Sequence, residues 1–292
     1  MGRTRMERTT DLRAFGLAIA AGTRGAFTPA QLAHVYVRLD FAMRFEVART
    51  AEDARGFLRS VARAAMAAAH LANEFGGAIM EVQGSVLHIA LPSPSGASVP
   101  SIEFIAELHQ AYRALFHDPD SRVHGWRVTT DVGNTLVVGG RGVHGDDSWV
   151  SLGRAANRPA KHLFAQLELP EEDRKLKRFW FGARDAATGH WRHRRLDDLP
   201  ARLRKAESAA HFARTTQPAL TFDRPMKPVG ATASAAPIGP IGSRLSPSAD
   251  RPHAYFGWVM RADLDGFTAR VDACFDRDLH LQELAQEFHA IM

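Results

Sequence analysis

Three short stretches of this 292-residue chain carry residue types and spacings suited to chemistry on phosphate-bearing molecules. In Met260-Arg261-Ala262-Asp263-Leu264-Asp265-Gly266-Phe267-Thr268, Asp263 stands at the end of a predicted strand and is followed by a glycine-containing turn. Mg²⁺ and Mn²⁺ demand carboxylate oxygens on a rigid element. Backbone amides of Gly266 and Phe267 can cradle phosphate oxygens. A bland alternative stands beside this: Asp263 or Asp265 also suits the capping of a turn before a helix. In Trp149-Val150-Ser151-Leu152-Gly153-Arg154-Ala155-Ala156-Asn157-Arg158-Pro159-Ala160-Lys161, Arg154, Asn157 and Lys161 lie three and four residues apart. They share one face if a helix starts there, with Pro159 tolerable only in its first turn. An ordinary capped surface helix explains the same spacing. In Gly76 to Ser85, a hairpin is expected with Gln83-Gly84 near its turn and the acceptor-only carboxylate of Glu81 before it.

The elements that must position these residues follow from periodicity. Val35, Val37, Leu39 and Phe41 alternate with Tyr36, Arg38 and Asp40, which predicts a strand over 35–47. Thr50 with Glu52 and Asp53 predicts a helix start, and Phe57, Val61, Ala64, Ala68, Leu71 and Phe75 continue it to the stop at Gly76-Gly77. A second amphipathic helix is expected over 102–116, strand over 126–138, and a hairpin between Phe179 and Trp191. This order implies an α+β fold, a mostly antiparallel sheet covered by helices.

Residues 1–27 read as a helical or mobile lead-in and 28–215 as the main domain. Residues 216–253, rich in Pro, Ala and Ser, read as a linker. Residues 254–292 begin a second, partial domain, with a strand over 255–260 and a helix over 281–291. A faint repeat supports the tandem arrangement: Val37-Arg38-Leu39-Asp40-Phe41 echoes Met260-Arg261-Ala262-Asp263-Leu264, without the Gly-Phe-Thr that follows the second copy.

Composition bounds the possibilities. The formal net charge is +5, which fits a handler of anionic nucleotides as well as a nucleic-acid binder. The densest basic stretches, near Arg174–Arg178 and His193–Arg195, are broken by acids and aromatics, so nucleic acid is not the expected partner. Cys274 is the only cysteine, which excludes an internal disulfide and a thiolate metal cluster. No apolar run approaches a membrane span of about 20 residues, and no signal peptide is read. A cytoplasmic location and no membrane partner are expected. The histidines show no zinc spacing, and there is no Walker loop, G-x-G-x-x-G or G-x-S-x-G.

The first two stretches together resemble the signatures of class III nucleotide cyclases, in the reverse of the usual order. Asp263 to Thr268 is similar to the family's Asp-hydrophobic-x-Gly-Phe-Thr, and Gly153, Asn157 and Lys161 to its Gly-x-x-x-Asn-x-x-x-Arg, with Lys in place of Arg. The resemblance implies a ferredoxin-like cyclase domain and an active site formed between two domains. Asp263 would be the first ligand of a pair of Mn²⁺ or Mg²⁺ ions, assisted by the carbonyl of Leu264. Asn157 would orient the ribose, and Lys161, with Arg154 on the same face, would stabilise charge on the phosphates. The family's second metal ligand follows the hairpin glycine, where this chain has Ser85. A neutral hydroxyl is a poor substitute for a carboxylate there. The 28–215 domain thus looks like the second catalytic domain of mammalian membrane adenylyl cyclases, with metal supplied by its partner.

Two further positions bear on the base. Adenylyl enzymes carry Lys three residues before the hairpin glycine and Asp or Thr seven before the Asn; here these are Glu81 and Val150. A carboxylate favours an edge rich in N–H donors, as on guanine or uracil. These departures look like the pyrimidine cyclases of bacterial antiphage systems. The resemblance therefore implies a uridylate cyclase making a cyclic nucleotide that acts on a neighbouring effector. A guanylyl or adenylyl cyclase is the alternative within the class, and a catalytically inactive nucleotide-binding or regulatory module the alternative outside it. A homodimer or an intramolecular pairing of two domains is expected, with the strand faces around Val37 and Ile89 building the contact.

Overall fold

The computed structural model describes residues 6–23, 25–41, 51–96, 98–117, 121–141, 147–165, 172, 178–200, 203–215, 273–275 and 281–291. Its centre is a pair of long antiparallel strands, β2 (Ala26–Phe41) and β5 (Val123–Arg141), in register along almost their whole length. β3 (Ala78–Gln83) and β4 (Val86–Pro92) form the expected hairpin, and β4 lies against the other edge of β2. Gly84 adopts φ +56° in the turn, a conformation that favours glycine. Beyond β5 lie β7 (Trp180–Arg184) and β8 (Trp191–Arg195), giving the order β3-β4-β2-β5-β7-β8. The two-residue β1 (Glu7–Arg8) joins β2, and β6 (Asp147–Leu152) joins the far end of β5. The sheet is mostly antiparallel, as expected; β5–β7 and β1–β2 are parallel pairs.

Alternation along β2 sorts the two sheet faces. Val35, Val37 and Leu39 face α2 (Ala51–Glu74), α3 (Val99–Phe116) and α5 (Leu203–Thr215), and all three are fully buried in the main core. Burying such side chains contributes about 1.5–3 kcal/mol each. This corrects the expected contact surface. Val37 and Ile89 are buried under helices of the same chain and are not available to a second domain. The opposite face carries Tyr36, Arg38 and Asp40.

The strand also begins earlier than the alternation shows, at Ala26. Its first half pairs with residues 133–139 of β5 as an arm covered on both sides. Leu12, Phe15 and Ile19 of α1 (Leu12–Ala20) pack on Leu32, Ala90 and Val137. The start of α1 is fixed by Asp11, whose carboxylate accepts the Ala14 N–H at 2.8 Å. Of the two readings of the lead-in, helical or mobile, the helical one holds over Leu12–Ala20. On the other side of the arm, Leu281, Leu284 and Ala285 of α6 (Leu281–Ile291) pack on Phe27, Leu136 and Val138. The helix expected in the tail is present, and it docks on the arm formed by β2 and β5. The 216–253 stretch and the strand expected over 255–260 lie outside the described residues. Among the described residues, no helix is long and apolar enough to cross a membrane.

Candidate active site

The sheet face opposite the main core is polar, and α4 (Arg154–Ala165) lies across it. β6 delivers the chain to Gly153, whose φ of +137° turns it into the helix. A Cβ at Gly153 would sit 2.8 Å from the Asn134 carbonyl oxygen, so the position requires glycine. Ala155, Ala156, Pro159 and Leu163 are buried, while Arg154, Asn157 and Lys161 are exposed on one face. The expected grouping of these three residues is observed. The expectation for Pro159 is not: it is the sixth residue of the helix and lies beyond the first turn. Its ring is buried and its carbonyl accepts the Thr129 hydroxyl at 2.8 Å, so packing on the sheet outweighs the lost N–H bond. The far end of α4 is held by His162, whose ring stacks on Trp191 at 3.9 Å and whose Nε2 lies 2.8 Å from His193 Nε2.

Beneath and beside α4 lies a set of polar residues that periodicity alone did not single out. His34 Nδ1 is 2.9 Å from His88 Nε2, and His34 Nε2 is 2.8 Å from the Thr135 hydroxyl. Burial lowers the His34 pKa to about 3. Burial, then the neighbouring His34, lowers that of His88. Both rings are therefore neutral, one proton serving each link of the chain. Tyr36 stacks on His88 with ring centroids 4.1 Å apart. Burial raises the Tyr36 hydroxyl pKa, and Glu81 adds to the effect. Glu81 itself is exposed on the edge strand, opposite His88 in register.

Asp40, at the end of β2, is held by Arg127 in a two-pronged ion pair, Nε to Oδ2 at 3.1 Å and Nη2 to Oδ1 at 2.7 Å. The Leu39 N–H donates to the Ser85 carbonyl at 2.9 Å, which docks the hairpin turn beside Asp40. The end of β2 and the hairpin turn therefore meet. They bring together Asp40 and Ser85, and the carboxylate already has a guanidinium on it. Asp131, on the same face, is buried. Its carboxyl pKa is raised by that burial, against the Val132 amide and the nearby Arg184 and Arg158. Arg158 Nη1 lies 3.7 Å from Asp131 Oδ2, too far for a hydrogen bond.

Val150 is half-buried on β6, paired with Val138, and packs into the Phe27–Leu136–Leu284 cluster on the α6 side. Its neighbour Ser151 pairs with Val137 and turns to the polar-face side of the arm. β3 and β6 approach to within 8 Å between Cα atoms, which brings the strands carrying Glu81 and Ser151 together. The register of the Asn motif thus favours Ser151 over Val150 as the side chain facing Glu81's side of the sheet. Arg127 Nη1, Asp131 Oδ2 and Ser151 Oγ are buried on this side without a hydrogen-bond partner among the described residues. Such atoms are rare in folded proteins, and each calls for a physical account: strain, a catalytic role, or a bound water or ion. Asp263, Leu264, Gly266 and Phe267 lie outside the described residues. Among the described residues, no three His, Cys, Asp or Glu side chains converge to hold a metal.

The signal that could have found the buried residues was partly in view. Tyr36, Arg38 and Asp40 form the second row of β2, and His88 in Val86-Leu87-His88-Ile89-Ala90 pairs with Tyr36 and continues it.

Among solved structures, the chain is similar to a class III adenylyl cyclase-like ATP-binding protein from Pseudomonas aeruginosa, at 14% identity and a TM-score of 0.57. The match covers 99% of this chain and 62% of that one, so the chain spans less than two thirds of that protein's length. Looser similarity extends to the adenylyl cyclase CyaB of P. aeruginosa (14% identity, TM-score 0.38, 48% of this chain and 74% of that one). It extends also to the guanylyl cyclase domain of the RhoGC fusion protein of Blastocladiella emersonii (12%, 0.38, 48% and 75%). Neither a family model nor a curated protein sequence matches the chain. The fold is that of class III cyclase domains.

Proposed function

We propose that this chain is a class III nucleotidyl cyclase, closing a nucleoside triphosphate, UTP in preference, to its 3′,5′-cyclic nucleotide and diphosphate. One observation carries the reading. The face across which α4 lies, with Arg154, Asn157 and Lys161 outward, also holds buried Arg127 Nη1 and Asp131 Oδ2, neither of which has a hydrogen-bond partner among the described residues. A shared fold is weaker support, since one fold hosts many functions.

In the proposed reaction the ribose 3′-oxygen loses its proton to solvent water and forms a bond to the α-phosphorus. The bond to the bridging oxygen breaks, and diphosphate leaves. Asn157 orients the ribose and Lys161 carries charge to the phosphates, with Arg154 beside them. As a point charge, Lys161 lacks the planar fork of Arg. Asp263, with the Leu264 carbonyl and the amides of Gly266 and Phe267, would hold Mn²⁺ or Mg²⁺ and phosphate. That cation would supply charge neutralisation and activation of the attacking oxygen. Glu81 accepts from the base, with Ser151 now the better candidate than Val150 for the second contact. The two half-sites lie apart in sequence, so activity requires a homodimer or two paired domains, and specific activity falls on dilution if a dimer is needed. As the resemblance to pyrimidine cyclases implies, the product would be a second messenger in antiphage defence that acts on an effector.

A second reading is a nucleotide-binding module without turnover. The Asp40–Arg127 pair and Ser85 favour it, and the Pseudomonas neighbour is itself described as an ATP-binding, cyclase-like protein. Asp263→Ala separates the two: cyclisation is lost and nucleotide binding persists if the chain is an enzyme. Wild-type protein that binds UTP and releases no diphosphate supports the module.

A further inference from the structure

Three aromatic rings meet where the far end of α4 reaches β8. Trp191 and His193 are two positions apart on that strand, so they share one face of the sheet. His162 comes to the same face from α4 and stacks on Trp191, with ring centroids 3.9 Å apart and planes 1° from parallel. Its Nε2 lies 2.8 Å from Nε2 of His193, while the two ring centroids are 5.0 Å apart. The nitrogens are thus much closer than the ring centres, and the two rings point their Nε2 atoms at one another. The residues are 31 positions apart, so no local spacing announces the pair.

The surroundings hold this arrangement. Gly182 of β7 is the register partner of His193. A Cβ there would stand 3.2 Å from His193 Cδ2, 3.3 Å from its Nε2 and 3.5 Å from His162 Cδ2, so the glycine leaves room for both rings. As a hydrogen bond, the pair needs one ring to donate and the other to accept. With both Nε2 atoms deprotonated, the same two nitrogens are adjacent ligands for one cation. Imidazole–metal bonds of about 2 Å at neighbouring positions of a tetrahedral or tetragonal shell put the two nitrogens about 3 Å apart. Imidazole suits Zn²⁺, Cu²⁺ and Ni²⁺, whereas Mg²⁺ and Mn²⁺ favour carboxylate, carbonyl and water oxygens. No third His, Cys, Asp or Glu converges here among the described residues, so water completes the shell at this exposed position.

We propose that His162 and His193 form a binding site for a divalent transition-metal ion of the zinc, copper or nickel kind. The site is separate from the Mn²⁺ or Mg²⁺ of the proposed reaction and does not depend on that reading. The ion takes the place of the bridging proton, which shifts by way of water to Nδ1 of the donor ring, so both rings stay neutral. Bound there, it ties α4 to β8 one residue beyond Lys161.

The test is calorimetric titration of the full 292-residue chain, without nucleotide or a histidine tag, with NiCl₂, ZnCl₂ and MnCl₂. The chain has 14 histidines, so wild type is compared with His162→Gln, His193→Gln and, as a control, His190→Gln just before β8. Wild type should bind one Ni²⁺ or Zn²⁺ that His190→Gln retains. His162→Gln and His193→Gln should each weaken that binding at least about tenfold, since loss of even an outer-shell partner costs roughly ten- to a hundredfold. Mn²⁺ should bind the pair far more weakly than Ni²⁺. His193 is exposed on an edge strand, so His193→Gln should keep the wild-type circular dichroism. It alone decides if His162→Gln fails to fold. Wild type that binds neither Ni²⁺ nor Zn²⁺ overturns the inference. So does Ni²⁺ binding that His193→Gln leaves unchanged. Both outcomes leave the proposed cyclisation standing, which Asp263→Ala tests separately.

Discussion

The guanidinium of Arg127 lies side-on to the carboxylate of Asp40, with Nη2 2.7 Å from Oδ1, across two strands whose residues are 87 positions apart. Arg127 is buried and Asp40 nearly so. Removing one member of such a pair strands the other charge. Asp40→Ala should therefore destabilise the protein by about 3 kcal/mol or more. Asp40→Ala/Arg127→Met should recover most of that, because a buried pair replaced by apolar groups is close to neutral. Urea unfolding of the three proteins checks this. A single variant costing less than about 1 kcal/mol would show that solvent already screens the pair.

The buried histidines make stability depend on pH. His34, His88 and His109 all have pKa values lowered by burial. The unfolded chain then binds more protons than the folded one below the ordinary value of 6.5. Stability is complete above that value and is lost as pH falls towards about 3 for His34, by about 1.4 kcal/mol per unit for each histidine. Asp131, raised by burial, acts with the opposite sign just above 3.8, where the folded state holds the extra proton. The urea midpoint should drop between pH 7 and pH 5, and His34→Asn should flatten that slope whatever it does to stability at pH 7. An unchanged slope would mean His34 is not buried neutral.

Gly153 and Asn157 should separate stability from chemistry. Gly153→Ala forces a Cβ to within 2.8 Å of a carbonyl oxygen at φ +137° and should cost about 1–3 kcal/mol in unfolding experiments. Asn157→Ala, on the exposed face of α4, should change stability by less than about 0.5 kcal/mol and reduce turnover on the order of a hundredfold. The reverse pattern would place Asn157 in the structure and not in the chemistry.

These particulars show what was readable in the chain itself. The hairpin at Gly84, the helix over 281–291 and the alternation of β2 were legible because local periodicity and turn chemistry determine them. Which side of β2 would be covered was not. A central strand can be buried on either face, and Val37 and Ile89 proved to lie under α2, α3 and α5. The first nine residues of β2 were missed because Pro29 and Gln31 interrupt the pattern, while pairing with β5 holds them extended. The partner of Asp40 was out of reach, since a cross-strand ion pair leaves no local signature. Val150 was chosen over Ser151 by counting from Asn157, and only the strand pairing reveals which of the two faces the polar side.

Base choice should pass through Glu81. If it accepts from N3–H of uracil, UTP is preferred over CTP, whose N3 is itself an acceptor. The mismatch is worth about 1–3 kcal/mol, or roughly ten- to a hundredfold. Glu81→Gln offers both a donor and an acceptor and should blunt that preference while turnover continues. Competition between UTP and CTP reads the ratio, and an unchanged ratio in the variant removes Glu81 from base recognition.

The most direct measurement incubates the protein with each of the four ribonucleoside triphosphates and Mn²⁺, and identifies the products by mass spectrometry. The account predicts a 3′,5′-cyclic nucleotide and diphosphate, with UTP the best substrate and no product from Asp263→Ala. No cyclic product from any of the four, in protein that is folded and binds nucleotide, would contradict it.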